Sequence, residues 1–533
     1  MLNLSTPYSL LPTPYSLLPK FVVTAAQMRQ IEERIFIAGM PVAALMEKVA
    51  GLVTRKIEEL LNPNINKIGV LVGPGHNGGD ALVIARELYF QGYEIIVYCP
   101  ITKLKELTNY HAKYLQSLGV NFIENISPFK NCDLLIDGLF GFGLEREISG
   151  DLAESINQIN SWQKQIFSID LPSGIHTDTG AVLGIAICAT HTFCLGLWKQ
   201  AFLQDQALEY IGTSELIDFD IPLADITAIL GEFPTIERIT KTSVRENLPL
   251  PFPPTTYKYK NGNLLLITGS HPYTGAAILT GLAARATGVG MLSIAVPESI
   301  KNILNSHLPE ALIIGCPETE TGAIKQLPEN IDLSKFETIA CGPGLTTEPT
   351  SIIEKILSVN SPLVLDADAL NICGNLADNS LVNQRQAPTI ITPHLGEFKR
   401  LFPHLTNQLN NRILTAQKSA ENSNLIVVFK GAKTIIANSQ KISINPESTP
   451  ALARGGSGDV LTGLVGGLLA ITSTKITPFE AVKTAVLWHA QAAILAAKER
   501  TELGVDAFTL TQYLIPAIEL FLGVRSQESG VRR

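Results

Sequence analysis

The segment 68–98 constrains the fold of this chain most. Apolar runs at 68–72 and 94–98 predict strands, and the pattern over 80–91 predicts a helix between them. A strand, a helix and a second strand in this order form a βαβ unit with two parallel strands. Further strand patterns follow at 133–137, 166–170 and 190–195. The first part of the chain is therefore predicted to be α/β, with a Rossmann-like doubly wound parallel sheet.

A second α/β pattern follows a segment rich in proline. Four prolines at 249, 251, 253 and 254 would break any regular element, and we place a linker at 231–262. Strand patterns then recur at 263–268, 291–296, 338–341, 363–366, 389–392 and 425–429. A hairpin is predicted at 433–445, and helices at about 458–470, 478–498 and 509–522.

The length of 533 residues exceeds what one hydrophobic core usually organises, so we expect two large domains. We place them at 21–230 and 263–525. The heptapeptide TPYSLLP at 6–12 is repeated at 13–19, and prolines interrupt both copies. This predicts a disordered extension at 1–20, and a disordered tail is expected at 526–533.

Composition restricts the partners. The 41 Lys and Arg against 49 Asp and Glu give a net charge of −8, which argues against nucleic acid or an anionic membrane as the partner. Seven cysteines without a CxxC pair indicate a reducing, cytoplasmic compartment. The longest apolar stretch, 463–471, is too short to span a bilayer. Apolar helices such as 40–61 fit an internal core and a subunit interface equally, and we expect a homo-oligomer.

Three motifs of the first domain follow predicted strands. GPGHNGGDAL at 73–82 joins a strand to a helix, where glycines and free N–H groups suit a phosphate; a tight turn alone would not need Asn77 and Asp80. IDGLFGFGLERE at 136–147 and SIDLPSGIHTDTG at 168–180 follow the next strands. Asp137 and Asp170 each end an apolar strand, where a carboxylate needs a cation, a donor or a proton-transfer task. A ligand site is predicted at this edge of the sheet.

The strongest signal in the second domain is ARGGSGDVLTG at 453–463, a glycine turn that leads into a helix with Asp459 in its first turn. Such a turn can hold a transferring phosphoryl group while the carboxylate takes a hydroxyl proton. Other motifs follow predicted strands: CGPGL at 341–345, LDADALN at 365–371, TPHLGEFKRL at 392–401 and FKGAKT at 429–434. The sequence is equally compatible with two roles for His394, a hydrogen-bonded structural residue and a catalytic residue.

From about residue 24 to 522 these motifs resemble the family of bifunctional NAD(P)H-hydrate repair enzymes. The resemblance implies a Rossmann-like first domain that interconverts the R and S epimers of hydrated NADH and NADPH, called NADHX and NADPHX. It implies a ribokinase-like second domain that dehydrates the S epimer at the expense of ADP or ATP.

The resemblance also implies roles for residues of the first domain. The family's NNGGD motif matches HNGGD here, so His76 replaces an asparagine, and Ala81 stands where the family has glycine. Hydrate contacts are implied for His76, Asn77, Gly78, Gly79, Asp80, Gly141, Phe142, Gly143, Leu144, Glu145, Arg146, Glu147 and Asp170. A potassium ion is implied at Asn77, Asp137 and Ser173, whose oxygens suit a monovalent cation. Asp170 is the expected acid or base at the epimerised carbon.

In the second domain the resemblance implies hydrate contacts at Ala276, Gly344, His394 and Asp459. Nucleotide contacts are implied at Lys430, Gly431, Ala432, Lys433, Thr434 and Gly458. Asp459 is the expected base, and the N–H groups of Gly455, Gly456, Ser457 and Gly458 are expected to form an anion hole for the phosphoryl group. Magnesium is expected with the nucleotide, as in phosphoryl transfer generally.

Two other functions fit parts of the sequence. Ribokinase-like folds also include small-molecule kinases, here with an accessory binding domain, and fold alone does not separate them. Against this stands the first domain, whose three motifs a kinase would not need. A catalytically silent first domain is the other alternative, and the presence of both Asp137 and Asp170 argues against it.

Overall fold

The computed structural model describes residues 19–523, except 377–381, 383, 422 and 473–475. The chain divides between Glu237 and Arg238 into two compact units. Most of the predicted N-terminal extension, residues 1–18, and the predicted tail at 526–533 lie outside the described residues. The functional boundaries placed at 21–230 and 263–525 stay predictions.

The first unit is built on a parallel sheet, which confirms the predicted doubly wound architecture. Its strands, in spatial order, are Asn121–Ile123, Glu94–Tyr98, Lys67–Val72, Leu134–Gly138, Gln165–Ile169, His191–Leu195 and Thr213–Ile217. After Lys67–Val72 the chain adds Glu94–Tyr98 and then Asn121–Ile123 on one side of that strand. It then adds Leu134–Gly138 on the other side of Lys67–Val72. The crevice between these two strands is a topological switch point, where open α/β sheets bind ligands.

Helices cover this sheet. They are Ala25–Ile37, Val42–Leu60, His76–Phe90, Glu106–Ser117, Gly150–Ser161, Leu208–Ile211 and Leu223–Leu230, with 3₁₀ turns at Ser127–Asn131, Gln200–Leu203 and Asp205–Ala207. Successive side chains of a strand point to opposite faces. Val70 packs in one buried cluster with Val53 and Leu82, whereas Leu71 packs in another with Phe129. The sheet therefore has a hydrophobic core on both faces.

The N-terminal helix is held by a cap at its first turn and by the pairing of the short strand that precedes it. Thr24 and Gln27 form the capping box that the sequence predicts, with Thr24 Oγ1 3.1 Å from Gln27 N. Just before it, Val22–Val23 pairs in parallel with Trp198–Lys199. This pairing fixes the helix Ala25–Ile37 beside the segment that carries Lys199.

The second unit has a mixed sheet of the predicted α/β class. Its strands, in spatial order, are Ile442–Ile444, Ile435–Ala437, Leu425–Phe429, Thr389–Ile391, Leu363–Leu365, Thr338–Cys341, Asn263–Ile267, Met291–Pro297 and Leu312–Cys316. The first two form the predicted antiparallel hairpin, and the others are parallel. A further short strand, Ile236–Arg238, crosses the boundary between the units.

The helices of the second unit are Lys241–Asn247, Thr274–Ala286, Lys301–His307, Thr350–Leu357, Ala367–Asn375, Leu395–Leu401, Arg412–Ala420, Ser457–Thr472, Pro478–Arg500 and Ala507–Leu522. Its 3₁₀ turns are Lys258–Asn261, His271–Tyr273, Glu298–Ile300, Leu333–Lys335, Pro403–Gln408, Pro450–Leu452 and Glu502–Gly504. Helix Ser457–Thr472 lies very close to Thr274–Ala286, because a Cβ at Gly463 would be 2.2 Å from the Thr280 carbonyl oxygen. This close contact sets the position of the helix Ser457–Thr472, which carries Asp459 in its first turn.

Two segments differ from the prediction. The glycine segment at 76–79 is already the first turn of the helix His76–Phe90, which was predicted to begin at 80. The segment predicted as a linker, 231–262, contains the helix Lys241–Asn247, whose Val244 is buried in the core of the second unit. The neighbouring prolines obscured its apolar spacing of Val244 and Leu248, while 249–254 has no helix or strand, as expected.

All seven cysteines are free thiols. In the part of the chain that the structure describes, no helix combines the length and apolar character that a bilayer crossing requires.

Candidate functional site

A cavity of about 800 Å³ lies in the first unit, where the chain leaves three of its central strands. Most of the predicted hydrate contacts line it: His76, Asn77, Asp80, Gly141, Phe142, Gly143, Leu144, Glu145, Arg146 and Asp170. Gly78, Gly79 and Glu147 are not among the lining residues. Sequence motifs separated by up to a hundred positions therefore meet in one concave site, as expected for strand ends of one sheet.

Gly78 and Gly79 serve packing instead. A Cβ at Gly78 would lie 2.0 Å from the carbonyl oxygen of Gly73, and one at Gly79 would lie 2.6 Å from Met46 Cε. Their absent side chains let the helix begin directly at the end of the strand.

His76, in the first turn, is beside Lys105, and burial together with this cation lowers the pKa of His76.

Asp170 is held in the cavity wall by charge and backbone. Its φ of 70° lies in the left-handed region, which is uncommon for a residue other than glycine. Its Oδ2 accepts a hydrogen bond from the Phe142 N–H at 2.7 Å, and its Oδ1 is 2.5 Å from Lys199 Nζ. Lys199 is fully buried and also donates to the Leu195 carbonyl at 2.5 Å. Burial lowers the pKa of Lys199, but the Asp170 carboxylate outweighs this and raises it. This is a buried ion pair.

Besides the exposed Glu145, two further carboxyl groups line the same cavity. Glu32 lies on the helix Ala25–Ile37, where burial, and then the charge of Asp170, raise its pKa to about 7 against the opposing effect of Lys199. Burial, and then the charges of Asp170 and Glu32, hold the pKa of Asp80 well above its usual range. Burial therefore raises the proton affinity of both carboxyl groups.

Asp137 lies beneath the cavity and is completely buried. Ser173 donates to it through its N–H at 2.9 Å and its hydroxyl at 2.6 Å, and Ser168 donates at 2.9 Å. Burial raises the pKa of Asp137 despite these donors. No cationic side chain among the described residues forms an ion pair with it. Its carboxylate, the Ser173 hydroxyl and the Phe140 carbonyl, 3.2 Å from that hydroxyl, form an oxygen-rich group.

Asn77 lines the cavity. With its amide turned so that both of its polar atoms are paired, it donates to the Ile169 carbonyl and accepts from the Gly141 N–H, both at 3.3 Å. The predicted potassium ligands are therefore close in the fold, with Asp137 and Ser173 in direct contact with each other.

The second unit places a group of charges where three of its strands end. Asp366 follows Leu363–Leu365 and is buried, with one oxygen 2.7 Å from Lys430 Nζ and the other 2.7 Å from Thr462 Oγ1. Burial would raise the pKa of Asp366, but Lys430 lowers it. Glu397, also buried, is 3.8 Å from Lys430 Nζ. Lys430, predicted to bind nucleotide, thus sits between two carboxylates.

Asp459 faces this group from the first turn of Ser457–Thr472. Burial, and then the charge of Asp366, raise its pKa to about 7. The preceding Gly456 has a φ of 90°, and a Cβ there would lie 2.7 Å from Leu279. At Gly458 a Cβ would lie 3.5 Å from Lys430 Nζ. The predicted glycine turn, the predicted base and the predicted nucleotide-binding lysine therefore come together.

The other predicted contacts lie in nearby turns. Ala276 and Gly344 touch, since a Cβ at Gly344 would be 2.8 Å from that of Ala276. His394 caps the helix Leu395–Leu401: its Nδ1 accepts from the Gly396 N–H at 2.9 Å, and its Nε2 is 3.4 Å from Glu397 Oε1. Lys433 donates to the Pro446 carbonyl, and the Thr434 hydroxyl to Gly431 at 3.1 Å, while Gly431 and Ala432 are exposed.

Sequence reasoning missed five side chains in these sites. They are Glu32, Lys199, Asp366, Glu397 and His489. Glu32 follows Met28 by four residues on the buried side of an amphipathic helix, which is a usable signal. A lone lysine in the apolar run FCLGLWKQAFL is another. His489 accompanies the glycine turn: its Nε2 is 2.9 Å from the Ser457 carbonyl, and burial lowers its pKa to about 4.

Two family models match the chain in order. A model described as YjeF-related protein N-terminus matches residues 42–201, and one described as NAD(P)H-hydrate dehydratase matches 264–516. The bifunctional NAD(P)H-hydrate repair enzyme Nnr of Thermosynechococcus vestitus is 48% identical, over 95% of this chain and 98% of its own. That of Synechocystis sp. is 49% identical, over 94% of this chain and 95% of its own.

A solved structure also resembles part of the chain. The ADP/ATP-dependent NAD(P)H-hydrate dehydratase from Bacillus subtilis, co-crystallized with ATP/Mg2+, is 32% identical with a TM-score of 0.46. The match covers 53% of this chain and 98% of that one.

Proposed function

This chain belongs to the family of bifunctional NAD(P)H-hydrate repair enzymes, as its motifs predicted, and from this we propose how its two sites act. The first unit interconverts the R and S epimers of NADHX and NADPHX. The second dehydrates the S epimer to NADH or NADPH at the expense of ADP or ATP. The observation that supports this best is that each unit holds its own carboxyl group, Asp170 just after a central strand in one and Asp459 in the first turn of a helix in the other.

In the epimerase site the substrate occupies the 800 Å³ cavity. Asp170, paired with Lys199, accepts a proton during inversion at the carbon that is epimerised. Arg146 and Lys105, which line the cavity, suit the negative charge of a dinucleotide. Gly78 and Gly79 contribute by keeping the helix close to its strand.

Potassium fits the group formed by Asp137, Ser173 and Asn77. The fit rests on a completely buried carboxylate that lacks a cationic partner in the described residues and lies beside hydroxyl and carbonyl oxygens. Bound there, a monovalent cation would supply positive charge beneath the cavity floor and hold the two loops together. Asp137 would be its charged ligand.

In the dehydratase site the difficulty is that hydroxide leaves poorly. The substrate hydroxyl gives its proton to Asp459 and attacks the terminal phosphorus of the nucleotide, whose bond to the bridging oxygen breaks to release ADP from ATP or AMP from ADP. Phosphate then leaves with the electrons of the C–O bond, and loss of a proton from the adjacent carbon restores the ring double bond. The N–H groups of the 455–458 turn hold the phosphoryl oxygens, and Lys430, paired with Asp366, orients the nucleotide phosphates.

Magnesium would enter with the nucleotide. No three His, Cys, Asp or Glu side chains are grouped to hold a metal ion within the described ranges. A magnesium ion held mainly by phosphate oxygens and water, with at most one or two carboxylates, fits this arrangement. It would neutralise phosphate charge.

The proton affinity of Asp459 predicts a pH dependence. A base must be ionised, so kcat/KM for dehydration should rise with pH through about 7 and level off above it. The measurement is the initial rate of NADH formation from S-NADHX between pH 5.5 and 9 with saturating ATP. A profile that falls with rising pH through this range would contradict Asp459 as the base.

Recovery of absorbance near 340 nm from a mixed-epimer NADHX preparation tests both activities together. With ADP or ATP we expect full recovery at a rate above spontaneous epimerisation, and without nucleotide no recovery. Recovery that stops once the S epimer has been consumed would contradict epimerase activity in the first unit. No recovery with either nucleotide would favour the alternative of a small-molecule kinase. The two family models that match the chain argue against that alternative.

We also infer a cytoplasmic location from the free thiols, which suit a reducing compartment. The homo-oligomer stays a prediction.

A further inference from the structure

The cavity of the first unit contains more carboxyl groups than its buried cation can balance. Glu32, Asp80 and Asp170 all line it. Lys199 Nζ is 2.5 Å from Asp170, and it also contacts the Leu195 carbonyl and Cys194 Sγ. This ammonium is paired with Asp170, and burial raises the pKa of Glu32 and of Asp80, although Arg29 opposes the shift at Glu32.

Glu32 is placed rigidly. Its helix is held by the buried residues Met28, Ile31 and Ile35 and by the Thr24 capping box. The pairing of Val22–Val23 with Trp198–Lys199 positions the start of this helix next to Lys199. Glu32 and Asp170 therefore reach one cavity from different elements, the N-terminal helix and the end of a central strand.

Inversion at a carbon needs a group on each of its faces. In a hydrated nicotinamide the hydroxyl is on a carbon bonded to the ring nitrogen. Its C–O bond can break with both electrons going to oxygen, while the nitrogen lone pair forms a C=N bond. The leaving oxygen needs a proton, and the water that adds to the opposite face must lose one.

We propose that Glu32 is a second catalytic residue of the epimerase site and acts as the acid where Asp170 acts as the base. In one direction protonated Glu32 gives its proton to the departing hydroxyl, which leaves as water. A water on the other face forms the new C–O bond, the C=N electrons return to nitrogen, and Asp170 takes the proton. The reverse reaction exchanges the two roles. This inference rests on the proposed epimerase function.

The electrostatic surroundings support the choice of Glu32 over Asp80. The charged groups that act on Glu32 are Lys199 and Arg29, which favour its ionised form, and Asp170 and Asp80, which oppose it. Burial and these charges place its pKa at about 7, so it can give and regain a proton near neutral pH. Burial also holds the pKa of Asp80 well above its usual range.

The test is Glu32→Gln, with Glu33→Gln as the matched control, because Glu33 is the next residue on the same helix and is exposed. Interconversion of purified R- and S-NADHX is followed by chromatography between pH 5.5 and 9. We expect kcat/KM to fall about 100-fold or more in both directions for Glu32→Gln. Glu33→Gln should keep the wild-type rate, and Glu32→Asp should recover part of it.

The pH profile separates a catalytic role from a structural one. Because the acid must carry its proton, the wild-type rate should fall as pH rises through about 7. In Glu32→Gln the residual rate should lose that decline. A Glu32→Gln variant that epimerises at the wild-type rate, or that is slow but keeps the decline, would overturn this inference alone. A wild-type protein without epimerase activity would overturn the proposed function itself.

Discussion

Asp459→Asn is expected to abolish nucleotide-dependent dehydration while epimerisation continues at the wild-type rate. Removing a general base costs about 10²–10⁴-fold in rate. The asparagine keeps the shape of the side chain but accepts no proton, and the glycine turn beside it, fixed by Gly456, should be unchanged. The measurement is NADH formation from S-NADHX with ATP and magnesium, together with epimer interconversion in the same preparation.

The second activity serves as the internal control for folding. Loss of both activities in a folded protein would contradict the division of labour between the units. An Asp459→Asn variant that dehydrates S-NADHX at more than a tenth of the wild-type rate would contradict its role as the base.

Asp170→Asn should have the opposite effect, with epimerisation lost and dehydration of the S epimer unchanged. It should also destabilise the first unit, because Lys199 is fully buried and would lose its counter-ion. Removing one member of a buried ion pair costs about 3–5 kcal/mol. Chromatographic epimer analysis and denaturant unfolding measure the two effects separately.

A double variant separates the charge balance from the chemistry. Replacing both members, Asp170→Asn with Lys199→Met, removes the unpaired cation, so we expect most of the stability to return while epimerisation stays absent. Epimerisation by Asp170→Asn at the wild-type rate would contradict a catalytic role of Asp170, and it would support a catalytically silent first unit if both rates equal the spontaneous one. Slower dehydration of the S epimer would show that Asp170 was assigned to the wrong site.

The sequence predicted the sheets well because their strands are short apolar runs between glycine-rich turns. Strands such as Glu94–Tyr98 and Leu425–Phe429 agree with the prediction at both ends. The strand Leu312–Cys316, at the edge of its sheet, was missed; its sequence, LIIGC, is short and its first residue is exposed. The helix start at His76 was missed because residues 78 and 79 are glycines, which local propensity places in a turn and tertiary packing places in a helix.

The sites were predicted as motifs but not as charge networks. Asp170 and Asp459 stand beside conspicuous glycines, so the sequence points to them. The pairing of charges carries no such signal: Lys199 is 29 positions from Asp170, and Lys430 is 64 positions from Asp366. Only the order of the strands brings these pairs together, and that order is a property of the sheet.

The parallel pairing of Val22 with Trp198 has a consequence for biosynthesis. A ribosome releases the N-terminal strand and its helix long before the segment they pair with exists. Until residue 199 has emerged, Glu32 has no Lys199 beside it and Asp170 has no counter-ion. The first site therefore matures only when nearly all of its unit has been translated, and a nascent chain arrested earlier would carry the glycine motif without a working centre.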